Sequence, residues 1–137
     1  MVRTPDAPAL KLCTYRHNRG SRMQRDTLVI LKPDFADPAY PDLRFYCWHC
    51  ALIEGVLASF PELRNQIDVL RVEWPRPRYE VVELIGSENQ SLPVLIFAED
   101  ADEELATGIY RGRRFAEGKD AILKALSRRH SIPFPHP

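Results

Sequence analysis

Two cysteines stand three residues apart in the segment R-F-Y-C-W-H-C, residues 44–50. Cys47 and Cys50 enclose Trp48 and His49, and a run of helix-forming residues follows. A C-x-x-C pair can exchange disulfides, supply part of a metal site, or place two small apolar side chains in a core. The residues around the pair indicate which of these three roles applies.

The redox role follows from the predicted start of a helix at the first cysteine. Near a helix N-terminus, unpaired N–H groups and the helix dipole favour the thiolate form of a cysteine. Cys50 lies one turn further on, within reach of a mixed disulfide formed on Cys47. We therefore predict that Cys47 is the attacking thiol and Cys50 the resolving thiol.

The two other roles stay as alternatives. A zinc or iron–sulfur site needs about four ligands, and the sequence has no second C-x-x-C and no H-x-x-H. The remaining candidate ligands all stand near the predicted flexible ends of the chain: Cys13, His17, His130 and His136. Burial of both cysteines as small apolar side chains is disfavoured, because the helix end would expose Cys47.

Hydrophobic patterning predicts the elements that position this pair. Apolar runs predict strands, and apolar residues at helical spacing predict helices. The predicted strands are 26–32, 67–74, 92–99 and 105–112, and the predicted helices are 47–60, 77–86 and 117–130. A proline-rich loop, 33–46, precedes the cysteines, and Gly86 is expected to cap the second helix.

The predicted element order is β-α-β-α-β-β-α. Alternation of strands and helices favours an α/β fold with a parallel strand pair, and the last two strands are expected to form an antiparallel hairpin. We therefore expect a four-stranded mixed sheet flanked by helices.

Composition limits the classes of protein to consider. The chain has 137 residues, 45% of them hydrophobic, and a formal net charge of zero. We expect one domain, 26–137, after a basic and disordered N-terminal extension, 1–25. The balanced charge gives no reason to expect a nucleic-acid or membrane partner. No segment resembles a signal peptide or a membrane span, and three cysteines do not suggest a disulfide framework, so we expect a cytoplasmic protein. We also expect it to be a monomer or a weak homodimer.

The triplet Ser91-Leu92-Pro93 adds a resemblance to a known group of proteins. Pro93 stands 46 residues after Cys47, at the start of a predicted strand. This spacing and the element order resemble the thioredoxin-like superfamily, and glutaredoxins in particular. The resemblance implies a cis peptide bond between Leu92 and Pro93, with the proline facing the active cysteine. The blocks F-Y-C-W-H-C and S-L-P-V-L also resemble a bacterial family of proteins of unknown function assigned to this fold.

The glutaredoxin resemblance also implies substrate-binding residues. Arg44, three residues before Cys47, stands where glutaredoxins carry a basic residue that binds a glutathione carboxylate. The Leu92 backbone, beside Ser91, would hydrogen-bond the substrate, and Asp120 would help hold the γ-glutamyl end. Glutathione is thus an expected co-substrate, and no bound cofactor is expected.

The residues between and beside the cysteines suggest two further roles. His49 occupies the slot of the histidine in disulfide-isomerase motifs, where it stabilises the thiolate and makes the disulfide a better oxidant. The aromatic residues Phe45, Tyr46 and Trp48 could form a substrate platform or anchor the preceding loop to the core.

The sequence therefore predicts a thiol–disulfide oxidoreductase that acts on a disulfide-containing protein or a glutathione adduct. Cys47, Cys50, His49 and Pro93 are its expected catalytic residues. One alternative is a non-enzymatic thioredoxin-like module that binds a protein or acts as a redox switch. The other is an oligomer that holds a metal through one C-x-x-C from each subunit.

Overall fold

The computed structural model of the protein describes residues 24–98 and 103–137. Within these residues three helices alternate with five strands, which is an α/β fold. The elements in chain order are β1 (Thr27–Leu31), α1 (Trp48–Ser59), β2 (Asp68–Val72), α2 (Tyr79–Ile85), β3 (Val94–Ile96), β4 (Gly108–Tyr110), β5 (Arg113–Glu117) and α3 (Lys119–His130). Short 3-10 helices follow α1 and precede β4, at Pro61–Asn65 and Glu103–Leu105.

The strands form one mixed sheet in the order β2-β1-β3-β5-β4. β1 pairs in parallel with β2, and the last registered pair is Leu31 with Val72. On its other side β1 pairs antiparallel with β3, which places Val29 opposite Val94. All five residues of β1 are buried, so both faces of this central strand are covered. The predicted parallel pair joined through α1 is confirmed.

The predicted hairpin between segments 92–99 and 105–112 is wrong, and so is the sheet of four strands. β3 pairs with β5 instead, and β4 forms the hairpin with β5. The turn of this hairpin contains Arg111 and Gly112, which both have positive φ, as a type I′ hairpin turn requires. The last helix consequently begins at Lys119 rather than at residue 117. Residues 99–102, in the acidic connection before β4, and residues 1–23 of the predicted N-terminal extension lie outside the described residues.

The second helix also starts later than predicted. Pro77 precedes α2 rather than occupying its first turn, and Arg76–Pro77 is a cis peptide bond. At the other end Gly86 caps the helix as predicted, with φ 90° and its N–H donated to Val82. A Cβ atom there would lie 2.6 Å from the Tyr110 ring, so the position needs glycine for space as well as for backbone conformation.

The two longer helices pack against each other and on the sheet. Ile53 and Leu57 of α1 and Ile122 and Leu126 of α3 are fully buried. Leu52, which the periodicity places on the buried face of α1, is exposed instead. No helix among residues 24–98 and 103–137 has the length and apolarity needed to cross a membrane.

Candidate functional site

Cys47 is the N-cap residue of α1, so the pair opens the helix as predicted. Its backbone is extended, with φ −81° and ψ 113°, and its Sγ accepts the backbone N–H of Cys50 at 3.2 Å. This bond uses one of the N–H groups that the first turn of a helix leaves without a partner. The sulfur therefore lies at the positive end of the helix dipole, where a thiolate is favoured.

Cys50 points from the same turn into the core. Only 2% of its surface is exposed, and its Sγ accepts the N–H of Leu31 at 3.4 Å. Burial, with a hydrogen bond to Cys47, raises the pKa of the Cys50 thiol to about 12; the Leu31 N–H and the charge of Arg78 act in the opposite direction. Cys50 thus stays protonated at neutral pH, and both cysteines are free thiols.

The two thiols are therefore chemically unequal. Cys47 is half-buried at a helix N-terminus, whereas Cys50 is enclosed by the core. Only the thiolate is a nucleophile, so a first attack by Cys47 suits this arrangement. Cys50 becomes reactive only when a neighbouring group takes its proton.

Leu92 and Pro93 lie at the same edge of the sheet as the thiols. The antiparallel register of β1 and β3, continued past Val29 and Val94, brings this dipeptide beside Leu31, whose N–H contacts Cys50. The Leu92–Pro93 bond is cis, in agreement with the prediction. The carbonyl of Pro93 accepts the N–H of Gly118 at 3.1 Å, which ties the start of α3 to this edge.

Trp48 and His49 are packed against each other between the two cysteines. Their rings meet edge to face with centroids 3.9 Å apart. Trp48 is 63% exposed, and Lys119 Nζ lies 6.0 Å from the centroid of its ring, within range of a cation–π contact. The contact links α1 to the start of α3. The influence of His49 on Cys47 stays a prediction.

The loop before the cysteines is held by aromatic contacts. Phe35 and Phe45 form an antiparallel bridge. Phe35 also stacks on Trp74 with ring centroids 5.4 Å apart, and Tyr40 meets Phe45 edge-on. Phe35 and Phe45 therefore anchor the loop, whereas Tyr46 is exposed.

Large exposed apolar side chains are concentrated in this loop and in the first turns of α1. We call them the apolar rim: Tyr40, Leu43, Tyr46, Trp48 and Leu52. Contiguous exposed apolar surface is typical of binding sites. Of the two roles suggested for Tyr46 and Trp48, the exposure of both side chains favours the substrate platform.

The remaining predicted binding residues are exposed. Arg44 Nε lies 2.8 Å from Asp34 Oδ1, and its Nη2 donates to the Asp34 carbonyl, so Arg44 helps to fix the loop. Asp120 lies in the first turn of α3 and contacts Lys119 at 3.1 Å. Ser91 is exposed just before Leu92. Their contacts with glutathione stay predictions.

Sequence reasoning missed Arg78, a buried charge near the thiols. Its side chain donates to the carbonyl oxygens of Trp74 and Gln90, and its electrostatic influence reaches both cysteines. Burial lowers the pKa of Arg78, and the charge of Arg76 acts in the same direction. Nothing in W-P-R-P-R-Y marks this arginine, because a basic residue before a helix is usually solvated.

Residues 24–98 and 103–137 contain no group of three or more His, Cys, Asp and Glu side chains arranged to hold a metal ion. Cys13 and His17, two of the candidate ligands, lie outside the described residues. His130 contacts Asp26 and Gln66 instead.

Comparison with known families identifies the group to which this architecture belongs. Residues 25–134 match a family described as protein of unknown function (DUF3088). The chain belongs to this family. The match covers every described strand and helix and both cysteines of the pair. The searches of curated proteins and of solved structures each found no match.

Proposed function

We propose that this member of the DUF3088 family is a thiol–disulfide oxidoreductase with a thioredoxin-like fold. The observation that carries the proposal is the inequality of its two thiols. Cys47 caps α1 with its sulfur on a backbone N–H, while burial raises the pKa of Cys50, one turn away, to about 12. A nucleophile next to a protected resolving thiol is what two-step disulfide exchange requires.

The arrangement of strands supports the thioredoxin-like part of the proposal. A parallel β1-α1-β2 unit is joined to the antiparallel strands β3 and β5, and α3 follows β5. In this comparison β4 is an additional edge strand. The cysteines, Pro93 and the start of α3 meet at one edge of the sheet, which is where the resemblance to glutaredoxins puts the reacting groups.

The reaction would proceed in two exchange steps. The Cys47 thiolate attacks one sulfur of a substrate disulfide, forms a mixed disulfide, and releases the other substrate sulfur as a thiolate. That thiolate or solvent takes the proton of Cys50, and Cys50 then attacks Cys47 Sγ. This attack breaks the mixed disulfide and releases the second substrate sulfur as a thiolate. The products are a Cys47–Cys50 disulfide and a fully reduced substrate, so two electrons pass from the protein to the substrate. An external thiol such as glutathione would return the pair to the dithiol.

The substrate is proposed to be a disulfide-containing protein or a glutathione adduct in the cytoplasm. The apolar rim offers surface for a polypeptide beside Cys47. Arg44 and the Leu92 backbone are the proposed contacts for a glutathione adduct. Comparing the rates of a protein disulfide and a glutathione mixed disulfide under the same conditions would distinguish these two substrates.

The test of the activity is disulfide reduction by single cysteine variants. We expect Cys47→Ser to lose at least about a hundredfold in rate with either substrate, because the hydroxyl of serine is a far weaker nucleophile at neutral pH. Cys50→Ser should retain the first exchange and accumulate a mixed disulfide on Cys47, detectable by mass spectrometry. Cys13→Ser is the matched control and should react as the unmodified protein does. Equal rates for Cys47→Ser and the unmodified protein would refute the proposal.

A second candidate function is a non-enzymatic binding module whose contact surface is the apolar rim. The exposure of Trp48 and Tyr46 beside the thiols favours it. In that case the dithiol protein should reduce disulfides no faster than free cysteine does at the same concentration. The two candidates therefore separate on the rate measurement alone.

A further inference from the structure

Arg78 is a buried arginine anchored on backbone carbonyls. Only 7% of its surface is exposed. Nε and Nη2 donate to the Trp74 carbonyl at 2.9 and 2.6 Å, and Nη1 donates to the Gln90 carbonyl at 2.6 Å. The backbone N–H of Arg78 donates to the side chain of Gln90 at 2.7 Å, which fixes the residue from a second side. The guanidinium is thus held in one place.

The charge of Arg78 has no carboxylate partner among the described residues. Its guanidinium makes three hydrogen bonds to carbonyl oxygens, but carbonyl dipoles offset a buried positive charge only in part. Burial and the like charge of Arg76 both oppose the charged form. The groups whose negative charge favours it are the two thiols, Cys50 and Cys47. A charge kept at such a cost in desolvation is expected to act on a neighbouring anion.

The sheet explains why Arg78 and the thiols are close together. β1 and β2 are parallel neighbours, and both end at the same edge. Cys50 Sγ contacts the N–H of Leu31, the last residue of β1. The guanidinium contacts the carbonyl of Trp74, two residues after the end of β2. The two contacts therefore lie at the ends of adjacent strands.

We propose that Arg78 is a positioning residue for the thiol chemistry, because its fixed charge stabilises the thiolate of Cys47. The same charge favours the exchange step, in which negative charge spreads over the reacting sulfurs. The inference deepens the proposed oxidoreductase function and rests on it for its biological meaning. Titratable or charged side chains near Arg78 and Cys47 include Cys50 and His49 on α1, Arg76 on the connection before α2, and Lys119 on α3. Lys32 follows the end of β1.

The test measures alkylation of Cys47 in a chain that contains no other thiol. The protein has three cysteines, so Cys13→Ser together with Cys50→Ser provides this background. The rate with iodoacetamide is measured at pH 7 and at pH 10. Adding Arg78→Met should slow the reaction about tenfold at pH 7, because fewer molecules carry the thiolate, and leave the rate at pH 10 within about twofold. Arg78→Lys keeps the charge but loses the forked contact with the Trp74 carbonyl, so its rate at pH 7 should lie between those of the background and of Arg78→Met.

Arg113→Met is the matched control. Arg113 is also a partly buried arginine that donates to a backbone carbonyl, that of Leu84 at 3.2 Å, and burial lowers its pKa. It lies on β5, away from the ends of β1 and β2. Its replacement should reduce stability without changing the ratio of the rates at pH 7 and pH 10. A purely structural role for Arg78 would give this same result for Arg78→Met and would overturn the proposal.

A second variant decides the question if Arg78→Met does not fold, as judged by circular dichroism. Gln90→Glu keeps Arg78 and puts a carboxylate at the atom that accepts its backbone N–H. The added negative charge should slow alkylation at pH 7 several-fold without changing the rate at pH 10. An unchanged ratio in this variant would then overturn the proposal.

The alkylation experiment and the disulfide-reduction experiment can fail independently of each other. Alkylation uses no disulfide substrate, so a dependence on Arg78 in a protein without exchange activity would contradict only the proposed function. Full exchange activity with no dependence on Arg78 would contradict only this inference.

Discussion

Asp26 and Arg78 are both buried charged residues, and they belong to opposite ends of the sheet. Asp26 immediately precedes β1, whereas the guanidinium of Arg78 contacts the chain just after β2, the parallel neighbour of β1. The two side chains are held by different kinds of partner. We propose that this difference separates an end of the molecule that stabilises the fold from an end that carries the thiol chemistry.

The Asp26 end has complete charge pairing. Both Asp26 oxygens bond to the Arg129 guanidinium, at 2.6 and 2.7 Å, and His130 Nε2 lies 2.8 Å from Oδ2. The Ala98 N–H donates to Oδ1 at 2.7 Å. Burial alone would raise the pKa of Asp26, but these hydrogen bonds outweigh it and lower the pKa to about 2. The carboxylate therefore fastens the end of α3 to the start of β1.

At the Arg78 end the part of the chain that the structure describes buries a cation without a carboxylate, beside a thiol whose pKa burial raises to about 12. Side chains that are perturbed in this way and lie next to reactive groups are more often found at functional sites than elsewhere. The comparison teaches that burial of a charge does not by itself indicate function. In our proposal, what distinguishes the Arg78 end is that its charge is left to interact with an anion that forms during thiol–disulfide exchange.

The largest predicted effect on stability is at the Asp26 end. Asp26→Ala should lower the free energy of unfolding by about 3 to 5 kcal/mol, because it leaves Arg129 and the Ala98 N–H without their acceptor. Urea denaturation measures this loss. Asp120→Ala is the control and should change stability by less than about 0.5 kcal/mol, since Asp120 is exposed. Alkylation of Cys47 in folded Asp26→Ala should proceed at the normal rate; a slower reaction would show that the two ends are coupled.

The thiol end should weaken in alkali. Because the pKa of Cys50 is raised from 9.0 to about 12 in the folded protein, the unfolded chain loses this proton first as the pH increases. The contribution of Cys50 is therefore complete below pH 9 and disappears as the pH approaches 12. Under reducing conditions the free energy of unfolding should fall by about 3 kcal/mol more between pH 8 and pH 11 in the unmodified protein than in Cys50→Ala. Parallel losses in the two proteins would contradict the burial of a protonated thiol.

The Asp26 end should weaken in acid, by a smaller amount. The folded pKa is lowered from 3.8 to about 2, so the stabilisation is complete well above pH 3.8 and is lost as the pH falls toward 2. Between pH 6 and pH 2.5 the free energy of unfolding should fall by about 2 kcal/mol more in the unmodified protein than in Asp26→Asn, whose residue 26 cannot ionise. Urea denaturation at both pH values tests this. If the two proteins differed in stability in alkali rather than in acid, the prediction would be contradicted.

The parts of the fold that could be predicted are those with strong apolar patterns. β1 and α1 have continuous or periodic apolar residues, and the sequence placed both within a few residues. β5 was missed because its sequence begins with Arg113 and Arg114, and the charges conceal a strand whose Phe115 and Ala116 are buried. The positive φ values at Arg111 and Gly112 mark the true turn, and only Gly112 is a turn signal in the sequence.

The candidate site was predicted where local sequence determines the geometry. The sequence predicts that the cysteine pair opens a helix, and the structure has Cys47 at the N-cap of α1. Asp26 and Arg78 could not be predicted. The burial of Asp26 depends on groups far away in the chain, and that of Arg78 depends on the backbone carbonyl groups of Trp74 and Gln90, which no side-chain pattern reveals. Asp26 and Arg129 are separated by 103 residues, and no local pattern records such a contact.

The smallest predicted effect on stability concerns Trp48. Its replacement also tests whether a polypeptide binds beside the thiols. Trp48→Ala should change the free energy of unfolding by less than about 0.5 kcal/mol, because most of the side chain is exposed. If the apolar rim binds a polypeptide, the variant should reduce a protein disulfide several-fold more slowly and a small-molecule disulfide at the normal rate. Tyr79→Ala removes an equally exposed aromatic side chain outside the rim and should affect neither rate. An equal loss for both disulfides in Trp48→Ala would mean that Trp48 acts on the reacting thiol, through His49 or Lys119, rather than on the partner.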